Sequence, residues 1–146
     1  MQAPNPYTPP AASLLANSQL PLTEQIEALP VSPAWKDRFH AIALAGGAKL
    51  PNFKQLSRQE RQRAMRLNVL AFIFGPFYYI AKGMWKKAVV YFVLTVLAAT
   101  AVGLALEFFG YGHLVRATTV SFGVWFGLRA NIDFYKRMVD GENGWW

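Results

Sequence analysis

Few side chains in this sequence could carry chemistry. There is no cysteine, which removes disulfides, thiolate metal sites and a cysteine nucleophile. The two histidines, His40 and His113, are too far apart to seed a zinc site alone. No phosphate loop of the Gly-x-x-x-x-Gly-Lys type, no His-Glu-x-x-His pair and no Gly-x-Ser-x-Gly elbow occurs. No enzyme, metal or cofactor is expected. What the chain does offer is electrostatic: 15 Lys and Arg stand against 8 Asp and Glu, a formal charge of +7. Such an excess attracts phosphates, either of nucleic acid or of an anionic lipid surface.

Position decides between the two. Lys49, Lys54, Arg58, Arg61, Arg63 and Arg66 precede the first long apolar run, and Lys82, Lys86 and Lys87 follow it. Basic residues banked against apolar segments mark juxtamembrane anchoring, whereas a nucleic-acid groove would spread them among soluble elements. The expected partner is a lipid bilayer with anionic headgroups, with Lys54, Arg58, Arg61, Arg63, Arg66, Lys82, Lys86 and Lys87 as its contacts, and not nucleic acid. Composition agrees: 53% of residues are hydrophobic and only 16% charged, which is low for a soluble surface. At 146 residues there is room for one small unit rather than two independent cores.

The elements that must position these cations follow from the apolar runs. Ala88 to Leu106 carries no charge and, at about 1.5 Å per residue, covers roughly 28 Å of hydrocarbon, so residues 88–108 are expected to form a transmembrane helix. A second span is expected over 111–130, weakened at its front by His113 and Arg116. Leu67 to Ala81 is short for a span and is broken at Gly75-Pro76. If it crossed, Lys and Arg from Lys49 onward would divide almost evenly between the two sides. If it turns back, all of them except Arg116 share one side, as the positive-inside rule prefers. The expectation is an all-α integral membrane protein: two transmembrane helices, a Gly-Pro-broken re-entrant or interfacial hairpin, and a small helical N-terminal segment, with both termini cytoplasmic.

Within that plan residues 1–20 read as a flexible tail, 21–56 as a cytoplasmic helical segment, and 57–146 as the membrane domain, with 57–87 holding the collar and hairpin and 131–146 a cytoplasmic tail. Ser32, Pro33 and the Gly46-Gly47 pair bracket a helix whose Trp35, Phe39 and Ile42 form one apolar stripe, which must dock on the 22–29 segment, the membrane or a partner. Ser57 and Glu60 have capping-box spacing, and from there a helix is expected to run into the first apolar stretch. Ala99, Gly103, Thr119, Gly123 and Gly127 are small residues suited to close packing between the two spans, with homodimerisation as the other use. Arg116 reads as an anchor that snorkels and pairs with Glu107, or else as part of an ion or proton path. Asn68 reads as a polar cap or interhelical hydrogen bond, the Phe cluster near Gly75-Pro76 as a shield for the hairpin tip, and Trp145 with Trp146 as interface anchors.

The run Phe72-Ile73-Phe74-Gly75-Pro76-Phe77-Tyr78-Tyr79, followed by Lys82-Gly83-Met84-Trp85, resembles the bacterial membrane family called domain-of-unknown-function family 2628. Arg129-Ala130-Asn131 followed by Tyr135 is similar to that family's Ala-Asn-x-x-x-Tyr pattern, and Trp35, Arg38 and Phe39 to its Trp-x-x-Arg-Phe helix. The likeness covers roughly residues 33 to 137. It implies a small inner-membrane protein and supplies no catalytic residues. The expected function is a non-enzymatic membrane-anchored interaction or adaptor module, with a protein partner on the N-terminal segment. The alternative is a small oligomeric channel or transporter subunit with its path at the broken helix.

Overall fold

The computed structural model describes residues 21–145; the tail expected over residues 1–20 and Trp146 lie outside them. The described residues are helical, without strands: α1 (Leu22–Ala28), α2 (Pro33–Leu44), α3 (Arg58–Ala64), α4 (Val69–Phe74), α5 (Pro76–Ala81), α6 (Trp85–Phe108) and α7 (Val115–Met138), with 3-10 turns at Phe53–Gln55 and Gly112–Leu114. Helix α2 starts where Pro33 fixes φ after an extended Ser32. The Ser32 carbonyl, not its hydroxyl, accepts from the Trp35 amide at 2.9 Å. Helix α3 carries the expected capping box: Glu60 N–H donates to Ser57 Oγ at 3.3 Å, and Ser57 N–H to Glu60 Oε2 at 2.8 Å.

Two expected elements are corrected. Residues 131–138, expected to begin a cytoplasmic tail, continue α7, and Asn131 to Tyr135 are buried. The helix begun at Ser57 ends at Ala64, and a new one starts after Asn68. Asn68 turns the chain: its side chain accepts from Ala71 N–H at 3.2 Å and its own amide donates to the Gly127 carbonyl at 2.9 Å. An amide committed to another helix cannot continue the α3 ladder.

Helix α7 is the central post. Helix α4 runs antiparallel along it, with Asn68 opposite Gly127 and Phe72 against Gly123. The chain reverses at Gly75, whose φ of 48° and ψ of −122° suit only a residue without a Cβ. Helix α5 then returns: Tyr79 reaches Asp133, and the Lys82 carbonyl accepts from Arg137 Nη1 at 2.6 Å. Both ends of the 67–82 stretch therefore lie toward the C-terminal end of α7.

The stripe on α2 docks within the chain. Phe39 and Ile42 are fully buried, Trp35 meets Phe134 edge-on at 4.7 Å, and Phe39 meets Tyr135 at 5.6 Å. The core so formed surrounds residues 126–135 of α7 and contains Ile26, Tyr79, Met84 and Tyr91. Away from it, the outer part of α6 packs on the first half of α7, whose Gly123 is also met by Phe72 of α4. Helix α6 is long and apolar enough to cross a bilayer, with a mean hydropathy of 2.4 over its most apolar window, of which only 6% is buried. A core helix of a soluble protein would be mostly covered, so this exposure is informative.

Candidate functional site

Two polar networks sit where α2, the α4–α5 pair and α6 converge on the last turns of α7. In the first, Asp133 is wholly buried and accepts from Lys87 Nζ at 3.0 Å, Tyr91 hydroxyl at 3.0 Å and Tyr79 hydroxyl at 3.3 Å, with Arg129 Nε at 3.4 Å. Burial without partners would expel the charge; here three hydrogen bonds and the Arg129 ion pair compensate it. The arrangement ties α5, α6 and α7 together through one side chain. Lys87 was expected among the lipid-facing cations; it is instead 1% exposed, drawn inside by Asp133.

In the second network Asn68 Nδ2 donates to Tyr78 hydroxyl at 2.8 Å and to Asn131 Oδ1 at 3.4 Å. Asn131 Nδ2 donates to the Arg66 carbonyl, and Arg38 Nη1 approaches Asn131 Oδ1 at 3.5 Å. One buried amide thus gathers α2, the α3–α4 link and α7. The residues carrying the family resemblance, distant along the chain, meet here: Trp35, Arg38 and Phe39 touch the Asn131–Tyr135 turn.

Around this core lies the basic collar. Lys54, Arg58, Arg61, Arg63 and Arg66 are exposed, while Lys82 and Lys86 are half-buried. Arg38 lies over the Trp35 ring at 4.8 Å from its centroid, and Lys82 Nζ over the same ring at 5.5 Å and over Phe134 at 4.8 Å. Burial, and next the neighbouring Arg66 charge, hold the Arg38 pKa below its usual value.

The other anticipated residues are placed as follows. Gly123 and Gly127 do serve close approach, but to α4 rather than to α6. A Cβ would meet the Phe72 carbonyl at 3.1 Å in the first case and the Asn68 carbonyl at 3.2 Å in the second. Gly103 has nothing within 4 Å of an added Cβ, Ala99 is half-buried, and Thr119 is exposed, its hydroxyl donating to the Val115 carbonyl. Phe74 and Phe77 are 54% and 70% exposed and do not cover the Gly75-Pro76 break; Phe126, from α7, is the ring beside Gly75. No Glu107–Arg116 ion pair forms among the described residues, whereas Trp145 folds back onto Trp85 with ring centroids 5.6 Å apart. Sequence reasoning gave no role to Asp133, and singled out Asn131, Tyr78 and Tyr79 only through the family resemblance. A single acid in an otherwise basic last helix was the available signal, but its partner lies 46 residues away.

The profile of the family described as "Protein of unknown function (DUF2628)" matches residues 38–139. The chain is also similar to "Uncharacterized protein YigF" of Salmonella typhimurium, 30% identical over 122 residues that cover 79% of this chain and 90% of that protein. The protein of the same name from Salmonella typhi matches to the same extent. No solved structure matches.

Proposed function

The chain belongs to the DUF2628 family, and we propose that it is a non-enzymatic, membrane-anchored interaction module of the bacterial inner membrane. In this reading α6 and the first half of α7 cross the bilayer, and the α4–α5 pair dips into the cytoplasmic leaflet and returns. The collar rests on anionic headgroups, and the α1–α2 cap faces the cytoplasm. One observation carries it: most of the exposed large apolar side chains lie on α6, the first half of α7 and the outer faces of α4 and α5, with Leu22 and Leu44 the exceptions on the cap, while the cations other than Arg116 gather at the opposite end. Val69, Leu70, Ile73, Phe77 and Ile80 are each more than half exposed, a cost that lipid contact removes. The buried clamp supports a passive frame rather than a reaction centre. The channel alternative draws less support, because the side-chain atoms nearest Gly75 are those of the apolar Phe126 ring.

Because the natural chain has no cysteine, single substitutions report sidedness cleanly. In intact cells an impermeant maleimide should label Gly110→Cys from the periplasm and leave Lys86→Cys unlabelled until the inner membrane is opened. Periplasmic labelling of Lys86→Cys would overturn the topology. The adaptor role is tested by crosslinking from the exposed Asp37 position in the full chain, since residues 1–56 alone would uncover Phe39 and Ile42; absence of any specific crosslink would sink it.

A further inference from the structure

The cations around Trp35 form a local arrangement that the collar alone does not explain. Arg38 and Lys82 stand over the same indole ring, one from α2 and the other from the foot of α5. Arg66 belongs with them: Asn131, whose Oδ1 lies 3.5 Å from Arg38 Nη1, also holds the Arg66 carbonyl, and the Arg66 charge acts on Arg38. Among the described residues none of the three makes an ion pair with a carboxylate; the pairs that form use Glu27, Asp133 and Glu142. Like charges held together without a counterion repel one another, and Arg38 is in addition partly desolvated. The fold imposes that cost by fixing all three roots: Arg38 on a packed helix, Arg66 by its bonded carbonyl and Lys82 by the Arg137 bond to its carbonyl.

We propose that Arg38, Arg66 and Lys82 form a site for the phosphate of an anionic phospholipid headgroup. Arginine supplies planar N–H forks and lysine a point charge, the usual complement for a phosphodiester. The lipid source, rather than a soluble phosphate, follows from what adjoins the site. Exposed Val69 and Leu70 begin three residues after Arg66, and Lys82 directly follows the end of α5, so the cations stand at both feet of the apolar hairpin. A headgroup held there has its acyl chains beside an apolar surface. The assignment rests on the membrane reading above.

The test uses the full chain extracted with its lipids and examined by native mass spectrometry, with titration into nanodiscs of phosphatidylglycerol or phosphatidylcholine. Retained phosphatidylglycerol is expected on the unsubstituted chain. Its affinity should fall about tenfold or more in Arg38→Gln/Arg66→Gln/Lys82→Gln, in keeping with loss of charge-assisted bonds. A charge-matched control outside the named lipid contacts, Lys36→Gln/Lys49→Gln/Lys136→Gln, should lose much less. Equal losses in the two variants would mean that only total charge matters and would overturn the site. Equally tight binding of inorganic phosphate in detergent would reassign it to a soluble ligand. Helical circular dichroism identifies a misfolded variant, for which the lysine-preserving Arg38→Lys/Arg66→Lys is the substitute: a loss of affinity there, with total charge retained, supports the arginine fork. No loss would argue against it. Alkaline carbonate extraction separates the two readings, since a chain that stays embedded yet fails these tests sinks the headgroup site alone.

Discussion

Asp133 shows how much one residue fixes. Removing its charge leaves Lys87 buried and unpaired, and breaking a buried pair in this way typically costs about 3–5 kcal/mol. Asp133→Asn should therefore lower the unfolding transition in detergent steeply, read by tryptophan fluorescence, whereas Lys87→Met with Asp133→Leu should recover much of the loss. If the double variant were no better than the single one, the pair would not be the source. Glu27 works at the surface instead. Its carboxylate accepts from His40 at 2.8 Å and pairs with Lys36 at 3.3 Å, and these bonds, His40 first, hold its pKa below the usual carboxylate range. A carboxylate with a lowered folded pKa contributes stability that is complete above the unfolded value and disappears as pH falls through the folded one. Hydrogen exchange in α1, corrected for intrinsic rates, should thus speed up as pH falls through the carboxylate range, and Glu27→Gln should remove that acid-side step.

At the scale of elements, the broken α4–α5 pair is the feature most open to test. Gly75→Ala places a Cβ in a conformation that L-residues avoid, at a cost of about 1–3 kcal/mol, while Pro76→Ala, at the first position of α5, should cost below about 1 kcal/mol. Equal effects from the two changes in the thermal midpoint would show that the turn does not depend on the glycine. Gly127→Val should be worse than either, because the Asn68 carbonyl and Leu67 occupy the space. Much of this level was legible in the sequence: the helix start at Ser32-Pro33, the capping box at Ser57, the break at Gly75-Pro76, and the apolar length of α6 all rest on local chemistry. The interruption between Ala64 and Val69 was not, since what ends that helix is Asn131 and Gly127, more than fifty residues ahead. The same limit hid the use of the small residues. Their spacing indicates close approach, but only the fold shows that α4, not α6, takes it.

For the whole molecule, packing is concentrated at one end, and the last two turns of α7 hold it together. A chain stopped after Arg129 loses Asn131, Asp133, Phe134 and Tyr135, the residues that α2, α5 and α6 grip. Limited proteolysis should then cut freely within residues 45–57 while α6 stays protected in detergent; an unchanged digestion pattern would show that α2 is held by something else. Charge and hydropathy sufficed to suggest which end is polar and which apolar. They could not reveal that the basic collar encloses a buried ionic clamp, because Lys87 is chemically indistinguishable from Lys82 and Lys86 until Asp133 is placed beside it. The shallow reversal at Gly75 has a mechanical outcome as well. In the proposed orientation two short helices add cross-sectional area to the inner leaflet and none to the outer one. That asymmetry is relieved when the bilayer bows toward the cytoplasm, so the chain would favour curved regions over flat ones.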